Sequence, residues 1–129
     1  MPSAIVEIGR QYSREEEVGI INAVHAAMRE GLKIPEWDKT VRLIVHEPHR
    51  FATPPSKGNR YTLVSIDLFT GRSIEAKKSL YRAIVKNLEP FGIPADHVKV
   101  LLRDIPPENW GIRGGVPASE VDLGFDIKT

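Results

Sequence analysis

The sequence predicts an α+β fold in which one β-α-β unit occurs twice, forming a four-stranded sheet with two helices on one face. Two strand–helix–strand stretches carry this prediction, together with the spacing of their matching positions. Ile34-Pro35 and Ile93-Pro94 each join a helix to a strand and lie 59 residues apart, and the helix-capping Ser13 and Ser73 lie 60 apart. Gly9-Arg10 and Gly71-Arg72 each follow the first strand of a unit. The chain of 129 residues fits one domain over 1–129, with pseudo-repeats of about 1–59 and 60–129.

The first strand lies within Met1 to Ile8, where Ile5, Val6 and Ile8 are β-formers. Gly9 to Tyr12 turns the chain. Ser13-Arg14-Glu15-Glu16 reads as a capping box, and the three glutamates at 15–17 suit a helix N-terminus. A helix is expected from Arg14 to about Glu30. Its buried stripe is Val18, Ile21, Val24 and Met28, with His25 packed at the edge, and Gly31 is its C-cap. The connection Leu32 to Asp38 leads to a second strand, Val41 to Glu47, parallel to the first through a right-handed crossover. Residues 49–59, with two prolines and a glycine, form the longest loop and the candidate internal linker. The pattern then returns. A strand is expected over Tyr61 to Leu68, then a helix over Ile74 to Leu88 with Leu80, Ile84 and Leu88 as its stripe, then a strand over Val98 to Arg103. The alternating tail Val121 to Ile127 suits an edge strand.

Eighteen basic and 17 acidic residues leave a formal charge of +1, which argues against general electrostatic attraction to nucleic acid or membrane. There are no cysteines, so disulfides and thiolate metal sites are excluded. No stretch approaches a transmembrane span and the N-terminus lacks an apolar signal core, so a cytoplasmic protein is the expectation. Two helices cover only one sheet face. The other would expose alternate apolar residues, and further copies of the chain are the expected cover.

Pro2 carries the clearest chemical signal. A strand-initiating proline is unremarkable in itself, since its missing N–H costs little there. Removal of Met1, however, would make it a secondary amine at the end of a buried strand, and such an amine can serve as base or nucleophile. Trp110, beside Gly111 and ahead of Arg113-Gly114-Gly115, is placed to line a cleft, and Arg113 is an anion-binding candidate. His46 and His49 are too few, with no third ligand, to make a metal centre.

With these features in place, the chain resembles the tautomerase superfamily (4-oxalocrotonate tautomerase-like), and within it the longer-chain group that includes malonate semialdehyde decarboxylase. The resemblance rests on Pro2, the doubled unit, Ile34-Pro35-Glu36-Trp37-Asp38, Thr70-Gly71-Arg72-Ser73 and Glu108-Asn109-Trp110-Gly111. It implies Pro2 as catalytic base, Asp38 as the acidic residue working with it, Arg72 as the arginine for a substrate carboxylate, and Trp110 as the active-site tryptophan. The first position of the decarboxylase's arginine pair is Thr70 here. Arg10 and Tyr12 lie nearest the short-chain family's arginine after the first strand and join Arg72 and Arg113 as substrate-binding candidates. The implied function is cofactor-independent tautomerisation of a 2-oxo or 2-hydroxyalkenoic acid by a homotrimer. Decarboxylation or hydration of a small oxo-acid, or a non-catalytic trimeric scaffold, is the alternative. No metal or organic cofactor is required.

Overall fold

The computed structural model describes residues 1–127. Strand β1 (Ser3–Ile8) is followed by helix α1 (Arg14–Leu32) and strand β2 (Val41–Val45). Strand β3 (Thr62–Phe69), helix α2 (Ile74–Leu88) and strand β4 (Val98–Ile105) repeat that order. A short hairpin, β5 (Gly111–Ile112) and β6 (Val116–Pro117), completes the regular structure. The sheet order is β2-β1-β3-β4. Each unit is internally parallel, and the two units meet antiparallel at β1 and β3, where Val6 stands opposite Val64.

Alternation in the strands decides which face is covered. Ala4, Val6 and Ile8 of β1 and Val64, Ile66 and Leu68 of β3 point into the helices and are fully buried. Val41, Leu43 and Val45 on one flank and Val98, Val100 and Leu102 on the other extend this layer. From the helices it receives Ile20, Val24, Ala27, Met28 and Leu32, then Leu80, Ala83, Ile84 and Leu88. Each large aliphatic side chain so buried contributes about 1.5–3 kcal/mol. The opposite sheet face carries Ile5, Leu63, Ile44 and Leu101 among Glu7, Arg42, Lys99 and Arg103. No element of the chain packs over it among the described residues, and Ile44 and Leu101 are 40% and 44% exposed.

The capping box at α1 forms as expected. Glu16 N–H donates to Ser13 Oγ at 3.1 Å, and Ser13 N–H donates to the Glu16 carboxylate at 2.9 Å. Ser13→Ala therefore removes one of these bonds and unmoors the other. It should cost about 1 kcal/mol, a fall of roughly 4 °C in Tm by thermal circular dichroism. An unchanged Tm would mean the cap contributes nothing.

Four local expectations are corrected. The stripe of α1 is rotated: Val18 is 53% exposed, and Ile20, Ala27, Gly31 and Leu32 share the buried face with Val24 and Met28. Gly31 is not the C-cap. It lies inside the helix where α2 crosses, and Lys33, in the left-handed region at φ 57°, ends the helix with its N–H on Arg29 O. The tail over residues 121–127 is not an edge strand: after a short 3-10 turn at Ala118–Glu120 it runs irregularly across the hairpin end. Residues 49–59 do not act as a free linker, because Phe51 packs its ring against His46 and Tyr61.

Candidate active site

The sheet topology brings one end of three segments together. β1 begins at this end, β3 finishes here, and the loop before β2 arrives beside them. Ala4 N–H donates to Thr40 O at 3.0 Å, which binds that loop to the start of β1. Pro2 is buried. With Met1 present the chain-terminal amine is that of Met1, 2.9 Å from Asp38 Oδ2. The Asp38 carboxylate is itself buried, 4% exposed as a residue. Burial lowers the amine's pKa from its ordinary value. The hydrogen bond and charge of Asp38 oppose that shift, and the charge of Arg72 adds to it.

Arg72 reaches this end from the turn after β3, where Gly71 at φ 121° allows the chain to reverse. Its Nη1 donates to Leu32 O at 2.5 Å. Its Nε is buried and has no hydrogen-bond partner among the described residues. Burial depresses its pKa, and the carboxylates of Asp126 and Asp38 act in the opposite direction. An amine, a carboxylate and a guanidinium thus share one partly desolvated end, where charges interact more strongly than in water.

An apolar wall adjoins them. Phe69, Ala118 and Leu123 form a small cluster against which Met1, Trp110, Ile112, Val121, Phe125 and Ile127 pack. Trp110 packs on Phe69 with centroids 4.8 Å apart and the rings tilted by 52°. Its Nε1 is already committed to Ile105 O at 3.2 Å, so it offers surface rather than a hydrogen bond. The exposed Trp37, next to Asp38, meets the edge of Phe125 at 6.2 Å.

Pro2, Asp38, Arg72 and Trp110 therefore gather at one end. Arg10 and Tyr12 do not join them within the protomer. They follow β1, and six residues of strand set them roughly 20 Å from Pro2. Arg10 lies over the Tyr12 ring at 5.0 Å. Arg113 occupies the β5–β6 turn at φ 48° and donates to Asp122 O at 3.2 Å, holding the C-terminal segment to the hairpin. His25 lacked any assigned role, yet its ring nitrogen Nε2 meets Asp38 O at 3.1 Å. Its one sequence signal is a polar ring beside Val24 on the buried stripe. Among the described residues there is no group of three or more acidic or histidine side chains fit to hold a metal ion. No helix among them is long and apolar enough to cross a membrane.

A mixed four-stranded sheet built from two β-α-β units, with two helices on one face, is the tautomerase fold. A solved symmetric trimer of fused 4-OT has it, with a TM-score of 0.81, 24% identity and coverage of 90% of this chain and 95% of that one. So does malonate semialdehyde decarboxylase from FG41 inhibited by 3-bromopropiolate, with a TM-score of 0.77, 27% identity and coverage of 94% and 98%. The family model described as tautomerase enzyme matches residues 38–113, more than half of the sequence, and the chain belongs to that family. The 2-hydroxymuconate tautomerase of Comamonas testosteroni is 42% identical over 57 residues, which are 43% of this chain and 89% of that protein. A probable tautomerase of Ralstonia nicotianae is 33% identical over 58 residues, 44% of this chain and 81% of that one. Each of these relatives is matched over most of its length by less than half of this chain.

Proposed function

We propose that the chain, freed of Met1, is a cofactor-independent tautomerase of a 2-oxo or 2-hydroxyalkenoic acid, with the Pro2 amine as general base. The observation that supports this reading is the partly buried Met1 amine, adjacent in the chain to the buried Pro2, which meets Asp38 at 2.9 Å and feels the charge of Arg72. The neutral Pro2 nitrogen takes the enol hydroxyl proton. The oxygen electrons form the carbonyl, and the former double-bond carbon receives the proton. Arg72, anchored at this end by its Nη1 bond to Leu32 O, is read as the cation for the substrate carboxylate and for the developing enolate. Trp110 and the apolar wall exclude water. Arg113 stands at the hairpin above this end as a further anion contact. Arg10 and Tyr12 lie outside this reading of a single protomer's site. The likeness to a 2-hydroxymuconate tautomerase supports this substrate class.

A second reading, decarboxylation or hydration of a small oxo-acid, is favoured by the Asp38 carboxylate, which can activate a water, and by the likeness to malonate semialdehyde decarboxylase. The test is ketonisation of phenylenolpyruvate, followed by ultraviolet absorbance, on protein whose intact mass confirms loss of Met1. Turnover is expected. Its absence from a confirmed free Pro2 would sink the tautomerase reading, and loss of carbon dioxide from malonate semialdehyde would then establish the second.

A homotrimer is the assembly we propose, supported by the uncovered sheet face and by fused 4-OT structures described as trimers. Leu101→Asp places a charge in that face. It should shift the protein from three-chain to one-chain mass in light scattering, and a trimer that survives the substitution would place the interface elsewhere.

A further inference from the structure

We infer that His25 is a positioning residue, holding the main chain of Asp38 so that its carboxylate stays beside the terminal amine; this rests on reading that amine as the base. His25 lies on the buried face of α1, 5% exposed. Opposite its Nε2 stands a carbonyl oxygen, which can only accept, so Nε2 carries the proton. Asn22, three residues earlier on the same helix, accepts from Lys39 Nζ at 2.6 Å. Two side chains from neighbouring turns of α1 thus grip two consecutive residues of the loop.

The remaining bonds of the loop close the frame. Asp38 N–H donates to Pro35 O at 3.1 Å, and Thr40 O accepts from Ala4, two residues beyond Pro2. The loop bearing the carboxylate is therefore fixed to the strand bearing the amine on one side and to α1 on the other. Aspartate has a short stem, so a shift of its Cα carries directly to its carboxylate. A buried carbonyl needs some donor in any fold. What gives this one a further consequence is that it belongs to the residue paired with the amine.

Two charged groups act on the Met1 amine, Asp38 from the loop and Arg72 from the turn after β3, and the Pro2 amine exposed by loss of Met1 is read as having the same neighbours. Asp126, from the C-terminal segment, acts on Arg72. Beyond His25, Arg29, Glu36 and Lys39 line the adjoining polar cavity of about 420 Å³. Asp38 favours the charged amine, so losing its carboxylate from this position moves the amine's midpoint to lower pH.

The experiment uses Met1-free protein and reads two quantities. One is the Pro2 amine titration by ¹⁵N nuclear magnetic resonance, and the other is kcat/KM for phenylenolpyruvate against pH. His25→Leu is expected to move the amine midpoint to lower pH, as Asp38→Asn does, and to reduce kcat/KM at least about tenfold. His25→Gln, whose amide can still donate to the carbonyl, restores the wild-type midpoint. Adding His25→Leu to Asp38→Asn moves it no further. His25→Asn, shorter but polar, replaces the leucine variant if that one does not fold, and must show the same shift. A folded His25→Leu or His25→Asn protein with the wild-type midpoint overturns the proposal. Absence of turnover in the unmodified enzyme overturns the tautomerase reading instead and leaves the amine titration as the test of His25.

Discussion

Pro2→Ala is expected to lower kcat/KM for phenylenolpyruvate ketonisation by about a hundredfold or more, the scale of losing a well-placed general base. Alanine still offers a primary amine, so the expected loss comes from placement. The pyrrolidine ring fixes φ and so directs the lone pair, whereas an alanine amine rotates about its own bond. Protein that retains Met1 should be equally impaired, because its Pro2 nitrogen is an amide and the free amine is displaced by one residue. The pH dependence has a definite sign. A base must be neutral to accept a proton, so activity falls as pH drops through the amine's pKa. For the Met1 amine, burial and Arg72 lower the pKa against the opposing pull of Asp38, and the Pro2 amine is expected to shift in the same direction. The acid limb of the profile should therefore lie below the titration of an unburied N-terminal proline amine. Full activity in Pro2→Ala across pH would remove Pro2 from the chemistry.

The second large effect concerns stability. Gly31→Ala should cost about 2 kcal/mol and lower Tm by roughly 8 °C at matched protein concentration. An ideal Cβ on Gly31 would stand 2.7 Å from Leu80 Cα and 2.8 Å from Leu80 N. These are main-chain atoms of a fully buried residue and cannot swing aside. The helices must separate, which opens the layer shared by Leu32, Leu80 and Ile84. Alanine's better helix propensity offsets only about 1 kcal/mol of this. A Tm equal to or above that of the unsubstituted protein would show that the crossing has slack.

The fold was legible wherever a local pattern had one physical meaning. Ser13 and Ser73 marked both helix starts because a hydroxyl ahead of a helix satisfies otherwise unpaired N–H groups, and both caps form. Apolar alternation gave the four long strands to within a few residues. The phase of α1 was harder to read, because its buried face relies on Ala27 and Gly31, which large-residue periodicity undercounts. Glycine near a helix end reads as a cap, and only the position of α2 identifies Gly31 as a crossing point. In the tail, the alternation of residues 121–127 was genuine, but those side chains pack on Phe69 and Trp110 instead of forming a sheet edge.

At the candidate site, Pro2, Asp38, Arg72 and Trp110 were legible as a group through family resemblance, and the strand ends do bring them together. Arg10 and Tyr12 came from the same resemblance, as the residues nearest the short-chain family's arginine after the first strand, and within one protomer the fold sets them at the other end of that strand. His25 escaped because its partner is a main-chain oxygen, which every residue has and no sequence pattern marks.

The antiparallel meeting of β1 and β3 carries a further consequence. Two like units set head to foot place their starting points at opposite edges of the molecule, but a continuous polypeptide has one beginning. The second unit starts at Thr62, in mid-chain, where the nitrogen is an amide. Its surroundings retain the counterpart of the reactive end. Arg10 follows β1 as Arg72 follows β3, and a cleft of about 170 Å³ opens among Gly9, Phe51, Thr53 and Tyr61. On the proposed reading, a chain of two such units offers one terminal base where two separate units would offer two. The far edge, where the second unit begins in mid-chain, carries no terminal amine.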